Sequence, residues 1–306
     1  MNLNRPIFAA VIGLTLLLVI PFDPAMPAAG LDPSWTSALN DAISRGLVFG
    51  RDIVFTFGPL GPVYTGVYHP MTDDIMLVSS AIVASGMVAG FWLVSRPHLW
   101  MALGLPLALS LSALRDPAFM AIPLLLLLAA ARTRDERGSA IYVAFGAIGA
   151  AIGMLPLIKG SFSGVVGIEA LLAFVMLLGS GRRDLASLIT ITSATALILS
   201  WMATGQPLMA LPGFFIAQAP IISGYSGAMS LYGKFWIVAW FACMAGLLLL
   251  AIALGLQLGL WKRIAVLLGL PFFCLFRSKP PLSGTTAMPY WPPALPVFWG
   301  CSGLYH

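Results

Sequence analysis

Asp32 and Asp52 bracket the stretch "LDPSWTSALNDAISRGLVFGRD", and cations lie beside it or at other breaks between apolar runs: Arg51, His69, Arg115 and Lys159. A carboxylate can take a proton from a hydroxyl, and a guanidinium, ammonium or imidazolium can hold an anion. Each residue also has a plainer reading. Asp32 before Pro33 is a helix N-cap, Asp52 beside Arg51 a solvated pair, Asp41 a solvated helix-face residue and His69 an ordinary loop residue. Asp73 and Asp74 favour the N-terminal dipole of the helix that follows them. Lys159, in "LPLIKGSFSG", either snorkels to a membrane surface or contacts a headgroup. Glu169 sits inside an apolar run, where a charge costs roughly 2.5–3.5 kcal/mol on insertion scales. It reads as a neutral, hydrogen-bonded bundle residue or as a proton-coupled transport site.

The elements that must position these groups are membrane helices. The chain is 59% apolar and 9% charged, with mean hydropathy +0.95. Soluble domains carry about 25% charged residues. Solid apolar blocks, rather than alternation, exclude a β-barrel and predict an all-α polytopic protein of the inner (plasma) membrane. The basic balance, pI near 9.3, is orientation charge in short loops, and no nucleic-acid partner is expected. Cys243, Cys274 and Cys301 show no metal or disulfide spacing and read as small buried hydrophobes.

Nine membrane segments are predicted: about 7–22, 75–95, 99–114, 117–131, 139–158, 161–179, 185–204, 235–258 and 264–276. The first reads as an uncleaved helix, because the fit to a small-residue cleavage site is poor and Pro27 intrudes. A cytoplasmic N-terminus puts Arg5, Arg96, Arg132, Arg134, Arg137, Arg182, Arg183, Lys262 and Arg263 inside, nine basic residues. Five fall outside: Arg45, Arg51, Arg115, Lys159 and Lys234. The positive-inside rule favours that orientation. The two longest loops, about 23–74 and 205–234, then face outward, where a membrane scaffold carries its chemistry. The second of them, broken by Pro207, Pro212 and Pro220, is expected to lie along the surface. It either packs plainly there or walls a lipid groove with Phe214, Phe215, Tyr225 and Tyr232.

Within the first loop, Pro33–Arg45 is predicted to be an amphipathic interfacial helix. Trp35, Leu39 and Ile43 take the apolar face, facing lipid or the bundle, while Ser34, Asn40, Asp41 and Ser44 take the polar face, and Gly46 stops it. "FGRDIVFTFGPLGP" follows as a short extended run punctuated by Gly and Pro.

This order of features resembles the first periplasmic loop of the GT-C glycosyltransferases, integral membrane enzymes that use polyprenyl-phosphate sugars. The matching residues are Asp32, the helix Pro33–Arg45, Gly46, Gly50, Asp52 and "GPLGP" at 58–62, about 45 residues in all. The resemblance implies transfer of a sugar from a polyprenyl-phosphate donor to an acceptor at the outer membrane face. It implies Asp32 or Asp52 as the base for the acceptor hydroxyl, and Arg51, His69, Arg115 and Lys159 as groups that hold the phosphate. Pro33 stands where the commonest form of the motif has a second acid, so the sequence gives no support for a divalent metal, and no cofactor is assigned. The partners expected are membrane lipid and a polyprenyl-phosphate-linked sugar. The alternatives are a transporter or flippase of lipid-linked sugars, and a non-catalytic or truncated membrane protein. The last rests on the Pro-rich stretch 277–306, which reads as an irregular tail of aberrant or frameshifted origin after a helical domain over 1–276.

Overall fold

The computed structural model describes residues 4–95, 104–110, 115–133, 137–228, 236, 239–240, 243, 247 and 259–275. Among the described residues no β-strand forms, and the chain is a helical bundle. Its helices are α1 (Asn4–Val19), α2 (Leu31–Ser44), α3 (Gly61–Thr65), α4 (Asp73–Ser95), α5 (Gly104–Leu109), α6 (Arg115–Arg132), α7 (Ser139–Ile158), α8 (Phe162–Gly179), α9 (Arg183–Ala203), α10 (Leu211–Ala228) and α11 (Leu260–Leu275).

Four of these, α4, α7, α8 and α9, are long and apolar enough to cross a membrane. They fall on four of the nine predicted segments. The first predicted segment is α1, of 16 residues, and 117–131 lies within α6, which opens on Arg115-Asp116 and closes on Arg132. Of 99–114 the described part contains only the short α5. Most of 235–258 and all of 277–306 lie outside the described residues.

Helix α7 is the centre. It packs against α4, α9, α6 and α8, and its last two turns are fully buried from Ala151 to Ile158. Small residues allow this. A side chain at Gly153 would overlap the Ser193 carbonyl of α9, and one at Gly149 would overlap the Thr192 hydroxyl. With no methylene between them the two backbones meet, and Ser193 donates from its hydroxyl to the Gly149 carbonyl at 2.8 Å. Close approach at a small-x-x-x-small pair is how helices associate where lipid is as apolar as leucine.

Two expectations are corrected. Asp32 does not cap the loop helix: α2 begins at Leu31 after Gly30, which places Asp32 and Pro33 inside the first turn. Proline is tolerated there because the first-turn amides have no intrahelical partner to lose. The loop 205–234 is not irregular throughout, since Leu211–Ala228 is helical with Pro220 inside it. Internal prolines also stand in α6 (Pro123) and α7 (Pro156), so proline is a weak helix breaker in this apolar chain. The predicted apolar face of α2 is where expected: Leu39 and Ile43 are buried and Trp35 packs on the core. Asn40, expected on the polar face, is buried instead. Its amide donates to the Val67 carbonyl at 3.1 Å and its oxygen accepts from Thr72 at 2.9 Å, tying α2 to the start of α4.

The contacts define two ends. At one end lie the loop 20–72, the starts of α4, α6 and α8, and the ends of α7 and α9. At the other, Arg132 donates to the Val94 carbonyl, Tyr142 donates to Asp184, and Lys262 donates to the Ala131 carbonyl. The first end takes most of the acids: Asp23, Asp32, Asp41, Asp52, Asp73, Asp74 and Asp116, seven of the chain's eleven carboxylates.

Candidate functional site

The acidic end is covered by backbone, stitched to the α7–α8 junction. Helix α7 stops at Ile158 and Lys159 turns extended, so the junction can pair with the loop. Gly58 and Leu60 donate from their amides to the Ile158 and Leu157 carbonyls at 3.2 and 2.9 Å, and Gly160 donates to the Thr56 carbonyl at 2.8 Å. A side chain at Gly58 would overlap the Leu157 carbonyl, which explains the glycine of "FGPLGP". Two glutamines close the other side. Gln206 accepts from the Phe49 amide at 2.9 Å and donates to the Leu47 carbonyl at 3.0 Å, and Gln218 donates to the Phe55 carbonyl at 3.1 Å. The first loop, the described part of the second and Lys159 therefore share one end of the bundle.

Lys159 sits in an aromatic cage. Its ammonium lies 4.9 Å from the Tyr64 ring centre, 5.3 Å from Phe57 and 5.7 Å from Phe162. It donates to both oxygens of Asp116, at 2.9 and 2.7 Å. The lysine side chain is 16% exposed and the aspartate 42%, so the pair is half-shielded, with the carboxylate turned to the open side. The cage continues a chain of ring contacts from Trp35 through Phe57, Tyr64 and Phe119 to Phe162.

Arg115 stands next to this pair. Its guanidinium lies over the other side of the same environment, 5.1 Å from the Tyr64 ring centre. Among the described residues no carboxylate or carbonyl takes it. It lines a cavity of about 210 Å³ whose other walls are Leu18, Val19, Leu109, Ser110 and Phe119, from α1, α5 and α6. The neighbouring Asp116 carboxylate is bonded to Lys159, so a guanidinium with no bonded anion stands beside apolar walls and matches a ligand with an anionic head and an apolar tail.

The remaining predicted site residues are placed apart from this centre. Asp52 accepts from the Val48 amide at 2.9 Å and takes a two-pronged bond from Arg51, 2.9 Å at each oxygen. The Arg51 guanidinium first, and the Val48 amide second, hold its carboxyl down at about 2. Asp52 and Arg51 thus clasp the turn 48–53, and among the described residues neither bonds to Lys159, Arg115 or Asp116. His69 accepts from the Met71 amide at 3.2 Å through Nδ1, and its carbonyl accepts from the Thr72 and Asp73 amides, shaping the turn into α4. The backbone of Asp32 opens α2, while its side chain lies outside the described residues, as do those of Tyr225 and Tyr232. Phe214 is buried against Trp201 rather than lining a groove.

Sequence reasoning missed Asp116. Its signal was present in "RDP" at 115–117: an acid followed by proline at the start of an apolar run, the pattern that drew attention to Asp32. Glu169 is fully buried in α8, and neither carboxyl oxygen has a partner among the described residues. No group of three metal-ligating side chains occurs among the described residues. No family model, no curated protein and no solved structure matches the chain.

Proposed function

We propose that the chain is a membrane glycosyltransferase of the kind its first loop resembles, transferring a sugar from a polyprenyl-phosphate donor at the acidic end of the bundle, which faces out of the cytoplasm. The observation that carries the reading is Arg115: a guanidinium that no carboxylate or carbonyl bonds among the described residues, on the wall of a cavity lined by Leu18, Val19, Leu109 and Phe119. In this reading the donor phosphate takes Arg115 and the prenyl chain lies along Leu18, Val19 and Leu109. The acceptor hydroxyl attacks the anomeric carbon, the bond from that carbon to the phosphate oxygen breaks, and polyprenyl phosphate leaves carrying the electron pair. A carboxylate takes the hydroxyl proton. Asp116, held by Lys159 and directly next to Arg115 in the chain, is better placed for this than Asp52, whose oxygens belong to its own turn. Lys159 then orients Asp116 rather than binding phosphate.

The test is binding of polyprenyl phosphate by the purified full chain in detergent, followed by native mass spectrometry. Arg115→Gln is expected to weaken it at least tenfold, while Arg51→Gln leaves it unchanged. A wild-type chain that does not bind polyprenyl phosphate overturns the reading. The buried, unpartnered Glu169 favours a second reading, a carrier of lipid-linked sugars, because an acid at mid-span is a usual proton relay in such proteins. Translocation in proteoliposomes that is lost in Glu169→Gln with binding intact would select the carrier over the transferase.

A further inference from the structure

A second recess opens at the same end, between other helices of the bundle, and its charge is reversed. It lies between α4, α7 and α9, with a volume of about 310 Å³. Asp74 stands at its mouth, exposed, in the first turn of α4. Among the described residues no cation or hydrogen-bond donor meets its carboxylate. The mouth is further lined by Ser200 and Ala203, from the last turn of α9, where the helix dipole is negative. Two acids, Asp73 and Asp74, already face the positive end of α4, so the mouth is left with net negative charge.

Below the mouth the recess is apolar. Ile75, Val78 and Ile82 follow one face of α4 at helical spacing, over a depth of about 10 Å, and Met154 and Leu199 form the facing walls. Val78 and Leu199 are well exposed at its sides, so the recess opens sideways rather than inward. In a span such as α4, a first-turn residue lies at headgroup level and the residues after it lie in hydrocarbon. A cationic head over an apolar chain is the complement of that surface.

We propose that this recess is a binding site for a membrane lipid with a primary ammonium headgroup, phosphatidylethanolamine, its ammonium on Asp74 and one acyl chain along Ile75, Val78, Ile82, Met154 and Leu199. A primary ammonium donates charge-assisted hydrogen bonds to a carboxylate, whereas the quaternary ammonium of phosphatidylcholine has no N–H to give. An anionic head such as phosphatidylglycerol is repelled. The Ser79 and Ser200 hydroxyls on the wall provide donors for the ester carbonyls below the head. The site is independent of the glycosyl-transfer reading, which uses the Arg115 cavity.

The experiment is native mass spectrometry of the full chain in detergent, equilibrated with equal amounts of phosphatidylethanolamine, phosphatidylcholine and phosphatidylglycerol. In the Arg115→Gln background, which removes the cation of the other cavity, the chain is expected to retain phosphatidylethanolamine about tenfold over the other two. Adding Asp74→Asn brings it down to the phosphatidylcholine level. A phosphatidylethanolamine carrying a photoreactive group in its acyl chain is expected to label peptides of α4 and α9. Equal retention of all three lipids in Arg115→Gln, retention unchanged by adding Asp74→Asn, or labelling spread evenly around the bundle would each show ordinary annular lipid and overturn the site.

Discussion

Lys159 with Asp116 at one end of the bundle, and Arg182 with Asp184 at the other, are built alike. In each a shielded cation meets a half-exposed aspartate, and an aromatic ring lies beside the cation: Tyr64 at 4.9 Å from Lys159, Tyr142 at 5.9 Å from Arg182. Their settings differ. Arg182 and Asp184 are two positions apart, bonded at 3.1 Å, at the turn that starts α9. Lys159 and Asp116 are 43 positions apart and join the start of α6 to the α7–α8 junction under a folded cover. The local pair stands at the start of a helix, where Asp184 in the first turn favours the dipole of α9. The distant pair lies between helices, next to a cavity with an arginine that no carboxylate bonds among the described residues. An ion pair alone is therefore no mark of a site in this chain; its position between elements, beside space, is.

The largest expected effect follows from that difference. A pair two residues apart also forms in the unfolded chain, so it adds little to folding, whereas a pair formed across the fold adds its full share. Asp116→Asn leaves the shielded Lys159 ammonium in the cage without its carboxylate and is expected to cost about 3 kcal/mol. Arg182→Gln leaves Asp184 half-exposed and still accepting from Tyr142, and is expected to cost less than about 1 kcal/mol. Unfolding in mixed detergent, followed by tryptophan fluorescence, measures both. Equal costs would remove the distinction between the two ends.

The cover itself gives the next effect. Gln206 is buried and satisfies the Phe49 amide and the Leu47 carbonyl together. Gln206→Leu keeps the size but strands two backbone groups. Each stranded buried group costs about 1–3 kcal/mol, reduced where water enters. The loss is expected as local opening, with faster hydrogen exchange at Phe49 and unchanged exchange in α7. Exchange that rises in α7 as well would mean that the cover and the bundle unfold as one unit.

What was legible in the sequence was whatever depends on local pattern. Segments predicted at 75–95, 139–158, 161–179 and 185–204 match α4, α7, α8 and α9 within two residues at each end, because hydropathy is a property of the run itself. The apolar face of α2 followed from its spacing in the same way. What was not legible depends on which runs become neighbours. Asp116 finds Lys159 only because α6 and α8 pack side by side. The Arg115 cavity needs α1 and α5 as walls. Asn40 sits on the polar side of α2 by spacing, yet the chain returning at Val67–Thr72 covers it. Helix α10 was lost because its prolines were weighed as they would be in water, where a freed carbonyl has better alternatives than a helix.

The smallest expected effect separates the two arginines that the sequence placed on equal terms as phosphate ligands. Arg51 is engaged with Asp52, and no carboxylate bonds Arg115 among the described residues. The Asp52 carboxyl is held at about 2, below its ordinary 3.8, mainly by Arg51. A carboxyl depressed in the folded state stabilises the turn above its ordinary value, and that contribution is lost as pH falls through about 2. The turn is thus expected to be indifferent to pH from 4 to 8. A carboxyl-detected NMR titration of the chain in micelles should give a midpoint for Asp52 near 2, moving part-way toward 3.8 in Arg51→Gln, since the Val48 amide still donates. Adding polyprenyl phosphate is expected to leave that midpoint where it is, because the phosphate goes to Arg115. If the midpoint rises with the lipid, Arg51 has left Asp52 for the phosphate. The anion site would then belong to the exposed turn and not to the cavity beside the aromatic cage.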